Sequence, residues 1–541
     1  MASRFIGGES GHRSVFGGTR SKPQVVGYTA TMLVGVLGVM FFGWQGLAAG
    51  VVLGIVVFFA TTTTANGSYW ERRKRRSRWT GRKATGTDRF IPFTEDAWAQ
   101  AQVQAAALKK AKDKARVLGA VRERPDGADG MGWLDARPNR PGIAWHTPAG
   151  EEAYLSVAFA TSGQLRGAES SQRQEAAQAG FGNLLARCAP SHSLVRGLQC
   201  VVRVLPPDLA LNEAWVVDHL DPEAPADAVA SYQQVLERTG EGTYVQRHII
   251  VARWPLSEQF MTTAARYGKG REGWRALMKS EIGSMERSLR TAKMGAVRAL
   301  SARGVVAMML HQQNPNRLPL VVAGVNPRRL GLASQDVWNG HWVTDTDPAT
   351  GEEVVWGHRT ARITAANVET GPRSPYWFLS LLRRGAAGGG VRSLSFGLEF
   401  IPAQEARILA SRDIVRDTSA AISRASKGQL SDSETDVTLQ AAQARGADLR
   451  PGSGDHGVNW IGHITISART QAELTEASRQ LEETAANGAG IEKLEWLDSY
   501  QAAASGTTWP IARGLQAGHT TLGAKVMDRL AGNGEKEEQV A

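Results

Sequence analysis

Apolar positions along this chain follow three different rhythms, and each predicts a different kind of element. The first is unbroken: from Pro23 to Trp70 no side chain is charged, through PQVVGYTATMLVGVLGVMFFGWQGLAAGVVLGIVVFFATTTTANGSYW. Bilayer hydrocarbon about 30 Å thick takes about 20 helical residues to cross, so the run holds two spans, 24–42 and 47–64, divided by a turn at GWQG. Trp44 then marks one membrane interface and Tyr69 and Trp70 the other, where amphipathic rings prefer to lie. Gly46, Gly50 and Gly54 recur every fourth residue and align on one helix face, open to close approach by the first helix or by another subunit. Neither span carries Asp, Glu, Lys, Arg or His, so no transport pathway is expected through this pair alone.

The second rhythm is helical. In WRALMKSEIGSMERSL, Trp274, Leu277, Met278, Ile282, Met285 and Leu289 share a face, and SQRQEAAQAGFGNLLARC reads the same way. TEDAWAQAQVQAAALKKAKDKARVLGAV predicts a surface or junctional helix rich in Ala and Lys. The third rhythm is alternation, which marks strands. GIAWHT and YLSVAFAT flank a turn at residues 148–150; LQCVVRVL sets Cys200 among Leu198, Val202 and Val204; RSLSFGLEF alternates Leu394, Phe396, Leu398 and Phe400, and Pro402 is placed to begin a helix. Residues 403–446 are helical in character but broken at SKGQLSDSETD, which predicts two polar helices projecting from the sheet. VNWIGHITISA is then a strand, Thr470 and Glu473 a capping box, Gly488 and Gly490 a helix stop, and IEKLEWL the returning strand. The fold class expected is α+β: an N-terminal transmembrane helical hairpin, then cytoplasmic ferredoxin-like strand-helix-strand modules with the projecting polar excursion. The expected segments are a basic tail (1–22), the hairpin (23–70), a stop-transfer block with its junctional helix (71–130), a first α+β domain (131–330), a β-hairpin and loop segment (331–390), a second α+β module (391–516) and a polar, disordered tail (517–541).

Charge adds an orientation. Residues 1–22 hold four basic residues against Glu9, net +3, and ERRKRRSRWTGRK at 71–83 holds eight against Glu71, net +7, so the two flanks carry +10 of the formal +11. A nucleic-acid binder would carry its excess on a folded face. Basic residues on both sides of the hairpin instead place both ends in the cytoplasm, with Arg72, Arg73, Lys74, Arg75 and Arg76 at anionic lipid head groups of the cell membrane.

Two cysteines, Cys188 and Cys200, suit a reducing compartment and supply neither a disulfide framework nor a zinc quartet. Gly268-Lys269 lacks the following Ser or Thr of a phosphate-binding loop and has Thr263 where its first Gly belongs. The glycines at 388–390 lead into a strand, so no helix N-terminus waits there for an anion. Asp345 and Asp347 form an Asp-x-Asp pair that could hold a divalent metal, but Pro348 and Gly351 beside them read as a hairpin turn. The histidines show no metal-ligand spacing; Asp218-His219 and Asp455-His456 read as surface positions. No catalytic residue, metal or cofactor is nominated, and ATP turnover is not expected.

The order of these features resembles the membrane-anchored components of actinobacterial conjugation and type IV secretion systems, in which a two-helix membrane module of the PrgI-like kind is joined to the non-motor N-terminal domain of the conjugation ATPase. The matching stretches are the charge-free hairpin with its RRKRRSRW exit, GIAWHTPAGEEAYLSVAF, the pair FGLEFIPAQEARILASRD and ITISARTQAELTEASRQLEE, and QAAASGTTWPIARG, in which Gln501, Ala502, Ala503, Thr508 and Pro510 match the family's pattern where the motor domain would begin. The resemblance implies a membrane scaffold, oligomeric in its assembly with other membrane subunits of an export channel, that docks a separate P-loop ATPase, with the excursion at 403–446 as the expected contact. A type VII secretion core subunit and a membrane-bound glycosyltransferase using Asp345 and Asp347 are the rival readings.

Overall fold

The computed structural model describes residues 4–6, 22–61, 63–64, 67–148, 152–165, 169–205, 219, 221, 223–240, 245–317, 324–346, 351–373, 377–382, 391–426 and 433–514. Asp218, Asp347, the glycines at 388–390 and the tail 517–541 lie outside them.

The apolar run forms two helices, Lys22–Phe42 and Trp44–Thr61, packed against one another. The turn is tighter than GWQG suggests. Gly43 alone lies between the helices, with φ +56°, and Trp44 begins the second. The backbones meet at glycine, where a Cβ on Gly46 would lie 2.0 Å from the Gly38 carbonyl and one on Gly50 2.9 Å from Gly35 Cα. Gly54 faces the Thr31 methyl at 3.4 Å. Among the described residues only Trp44–Thr61 is long and apolar enough to cross a membrane by length and composition; the apolar stretch of its partner, Gly27–Phe42, is shorter, so the expectation of two full spans is not supported by length.

The rest is α+β around one mixed sheet, whose single parallel pair among the described strands is Arg89–Pro92 with Val121–Arg122. Alternating apolar residues become strands because side chains at i and i+2 share a face that can be covered. In the first half the strands run in spatial order Val297–Ala299, Tyr154–Thr161, Val245–Pro255, Gly197–Leu205, all antiparallel. In the second half the order is Glu495–Trp496, Glu353–Ile363, Gly457–Ala468, Val391–Ile401, again all antiparallel. The halves therefore share one chain order, and they join through equivalent strands: Val391–Ile401 pairs antiparallel with Gly197–Leu205 from Arg392↔Val204 to Glu399↔Gly197. A two-strand hairpin precedes each half, Met131–Asp135 with Ile143–His146 and Ser334–Val337 with Gly340–Thr346. The segment 331–390 thus contributes strands to the same sheet.

Helices cover one face. Leu155, Val157, Phe159, Leu198, Ile250 and Ala252 meet Leu184, Leu277, Met278, Met285 and Leu289 from helices Ser171–Cys188 and Gly270–Thr291. Val204, Leu394, Ile464 and Ile466 meet Leu474, Leu481 and Ala485 from helix Gln471–Ala489. The alternate residues Tyr154, Ala158, Val201, Ile249 and Val251 turn to the other face, where helix Ala302–Gln313 and the segment Trp509, Ile511 and Ala512 cover them.

Several local expectations change in detail. The Ala- and Lys-rich stretch breaks into two helices, Glu95–Ala107 and Ala111–Ala120, the first capped by Thr94. Thr470 Oγ1 accepts from Glu473 N as a capping box requires, but Glu473 Oε2 accepts from Arg469 N, one residue earlier than the motif's return bond. The helix runs through Gly488 and stops at Gly490, whose φ of +60° suits a left-handed C-cap. The excursion forms helices Ala403–Ser426 and Ser433–Asp448, held together by buried Ala406, Ala410, Ala441 and Ala442 and by Asp413 between Arg416 and Arg445. Its start is capped by His456, whose Nδ1 accepts from Ala403 N at 3.0 Å.

Candidate functional site

The basic stretch is itself a helix, Tyr69–Thr85, and it joins the apolar pair to the sheet. Tyr69, Trp70, Arg72, Arg73, Lys74 and Arg76 are exposed, and Arg75 is half-buried. Arg75, Trp79 and Arg82 fall at i, i+4 and i+7, so one helix face turns inward while the charged remainder stays in water. Trp79 meets Trp338 edge to face at 6.2 Å.

Arg82 is buried. Its guanidinium donates to Asp336, to Asp126 Oδ2 at 2.6 Å, to Thr87 O at 2.8 Å and to Ser499 O at 3.2 Å, and it lies 4.6 Å from the centre of the Tyr500 ring. Arg122 pairs with the other Asp126 oxygen, and His341 Nδ1 lies 2.9 Å from the other Asp336 oxygen. Arg82 thus bridges buried Asp336 and nearly buried Asp126, and it shares Asp126 with Arg122. Burial alone would lower the Arg82 pKa, but Asp336 and Asp126 raise it above the ordinary arginine value, so the charge is fixed. Burial pushes the Tyr500 hydroxyl up, which keeps a neutral ring against the cation. Sequence places Arg72, Arg73, Lys74, Arg75 and Arg76 at the lipid head groups and gives Arg82 no role of its own. Its signal is the spacing of Trp79 and Arg82 on one helix face.

The segment that grips Arg82 continues into the closing run. Gln501 Oε1 accepts from Thr360 N at 2.8 Å, Ala502 is buried and Ala503 half-buried. Thr508 Oγ1 lies 3.0 Å from Thr465 Oγ1, and Thr508 O accepts from Gln312 Nε2 at 2.9 Å. Gln199, at the junction of the halves, donates to Thr507 O at 2.8 Å and accepts from Ala512 N at 2.7 Å. Pro510 is buried beside Trp509, Tyr154 Oη donates to Ile511 O at 3.1 Å, and Arg513 pairs with Asp129. Gln501, Ala502, Ala503, Thr508 and Pro510 therefore belong to one strap that crosses both halves of the sheet.

Beneath the strap, the second half turns polar residues inward. His358 Nε2 donates to Gln313 O and Nδ1 accepts from Ser467 Oγ, both at 2.8 Å. His311 Nδ1 accepts from Arg203 at 2.8 Å. Burial pulls His358 and His463 down to about 3 and Arg203 down to about 9, with Arg247 adding to the effect on Arg203. His358 has both ring nitrogens hydrogen-bonded, and these buried groups form a polar core under the strap. Alternation in NWIGHITISA shows the pattern, since His463, Thr465 and Ser467 share one strand face.

The chemistry considered from sequence resolves into structure. Asp345 lies in strand Gly340–Thr346 and binds Arg317 through both oxygens, with Asn314 Nδ2 donating at 2.8 Å. Thr263 lies inside helix Glu258–Ala265, and Lys269 is the N-cap of the next helix. Cys200 lies in its strand, and burial pushes its thiol up to about 12. His219 is exposed. Among the described residues no cluster of three or more His, Cys, Asp or Glu could hold a metal ion. The structure thus defines an α+β protein with an apolar helix near its N-terminus fixed to the body by a buried guanidinium. No protein-family model matches this chain, and no curated protein matches it.

Proposed function

We propose that this protein is a membrane-anchored structural component of a conjugative, type IV-like secretion machine, built from two ferredoxin-like modules and docking a separate P-loop ATPase at the cytoplasmic face of the cell membrane. The observation that carries the proposal is that the basic helix Tyr69–Thr85, which follows the apolar helix Trp44–Thr61 in the chain and packs against it, is held to the body by Arg82 between Asp126 and Asp336. Such a connection fixes the orientation of a large body relative to a bilayer, which is what a scaffold needs. The reading of two ferredoxin-like modules is supported by the shared strand order of the two halves, each with its fourth strand outside its first and its third between first and second.

Both apolar helices enter the membrane as a hairpin. The shorter one is long enough with local thinning of the bilayer. The pairing of Arg4–Ile6 with Gly371–Arg373 of the body supports a hairpin with both ends on one side. A cysteine introduced at Gly8 or Ser77 is expected to resist an impermeant thiol reagent in intact cells and to react after permeabilisation. Labelling in intact cells at either position would rule out a hairpin with both ends inside.

The excursion supplies the ATPase contact. Ile408, Val415 and Ile422 are exposed at seven-residue spacing on helix Ala403–Ser426, a stripe suited to a partner helix. Replacing Ile408 and Val415 with Asp is expected to leave membrane insertion and thermal unfolding unchanged and to weaken co-purification of the proposed P-loop ATPase partner at least tenfold. The protein alone is expected to turn over no ATP. Undiminished co-purification would remove the stripe from the interface, and intrinsic hydrolysis by the pure protein would end the scaffold reading.

A further inference from the structure

The two helices after the basic helix have no role in the scheme above. In Glu95–Ala107, Ala101 and Ala105 face inward, while Val103 is 72% exposed and Phe93, just ahead of the helix, is also exposed. Residues 109–116, KKAKDKAR, carry Lys109, Lys110, Lys112, Lys114 and Arg116 against Asp113 alone, and all six are exposed. This net +4 stands in a chain whose formal charge otherwise sits almost entirely in the two flanks of the hairpin.

Helix Ala111–Ala120 is seated on the basic helix by direct backbone contact. A Cβ on Gly119 would lie 2.1 Å from Thr85 O, and one on Gly86 would lie 1.9 Å from Arg116 O. The charged, apolar-tipped pair is therefore rigidly tied to the helix that leaves the membrane. We propose that Glu95–Ala107 and Ala111–Ala120 form a second, interfacial membrane contact, with Lys109, Lys110, Lys112 and Lys114 on anionic head groups and Phe93 and Val103 at the acyl boundary. Two features favour a lipid surface over a nucleic acid. A phosphate backbone would neutralise the lysines but leave Phe93 and Val103 in water, whereas an interface takes both. The pair is also packed on the helix that directly follows the apolar one in the chain, so little freedom is lost in docking it.

This inference rests on the membrane reading of the hairpin, and the test separates the two. The full chain, carrying V103C labelled with an environment-sensitive fluorophore, is reconstituted into nanodiscs of phosphatidylcholine alone or with 30% phosphatidylglycerol, each with and without a lipid bearing a shallow nitroxide quencher. Burial pushes the thiols of Cys188 and Cys200 up to about 12, so V103C is the reactive thiol at neutral pH. Quenching is expected to be at least twofold stronger in the anionic discs and to fall to the neutral-lipid level in the K109Q/K110Q/K112Q/K114Q variant, which still enters the discs through Trp44–Thr61. Incorporation without quenching at position 103, or quenching indifferent to both lipid charge and the four lysines, overturns the second contact and leaves the anchor standing. Failure of the unsubstituted chain to enter nanodiscs overturns the anchor and this contact together. Binding of a DNA or RNA oligonucleotide that persists in anionic discs and is lost in the lysine variant would assign the surface to nucleic acid instead.

Discussion

Replacing Arg82 with alanine is expected to cost the body about 3–5 kcal/mol, because removing one partner of a buried ion pair leaves the other charges without compensation. Asp336 is fully buried and would lose its closest cation, and Asp126, nearly as buried, would lose one of its two. Arg122 stays on Asp126, but Asp336 would keep only His341. Lysine at position 82 should recover part of the loss. It restores the charge, but it cannot span Asp126, Asp336, Thr87 O and Ser499 O with one fixed fork. Urea unfolding of the full chain in detergent, followed by tryptophan fluorescence, reads the effect, since Trp79 and Trp338 pack beside the socket. Adding D336N to R82A should recover stability relative to R82A alone, because it removes the orphaned charge. An R82A protein as stable as the parent would mean that the socket does not hold the basic helix to the body.

The two periodic rhythms were legible because they follow from local geometry. Trp274, Leu277, Met278, Ile282, Met285 and Leu289 are all buried on one helix, and Leu394 and Phe400 lie on the helix-covered face of their strand. What sequence did not reveal depends on contacts made far along the chain. Arg82 looks like its seven neighbours until Asp126 and Asp336, 44 and 254 residues away, converge on it. The shared order of the two halves was hidden for a similar reason. It rests on the pairing of Gly197–Leu205 with Val391–Ile401, and no local pattern specifies which strand edges meet. Sequence also underestimated the closing run. Gln501, Thr508 and Pro510 could be picked out as positions of a pattern, but their burial comes from Thr360, Thr465 and Gln199, which alternation alone places on strands without a cover.

Replacing Gly506 with valine is expected to destabilise the body by about 3 kcal/mol, at the upper end of the usual cost of overpacking, and to loosen the Arg82 socket with it. A Cβ at position 506 would lie 2.4 Å from Gly127 Cα and 2.5 Å from its carbonyl oxygen, so backbone, not a flexible side chain, must move. Gly127 sits in the short turn Asp126–Ala128, directly after the carboxylate that binds Arg82, and Trp509 closes over the same turn. Displacing the turn therefore moves Asp126 away from both Arg82 and Arg122 and uncovers Trp509. If the strap and the socket are one unit, R82A and G506V should be clearly less than additive, because each removes part of what the other would lose. Gly81→Ala is the matched control. It lies on the exposed side of the basic helix with nothing within 4 Å of its added Cβ, and alanine there should be neutral or stabilising by up to about 1 kcal/mol. Strict additivity of R82A and G506V, measured by urea unfolding, would separate the strap from the Arg82 socket and leave the basic helix docked on Asp336 alone.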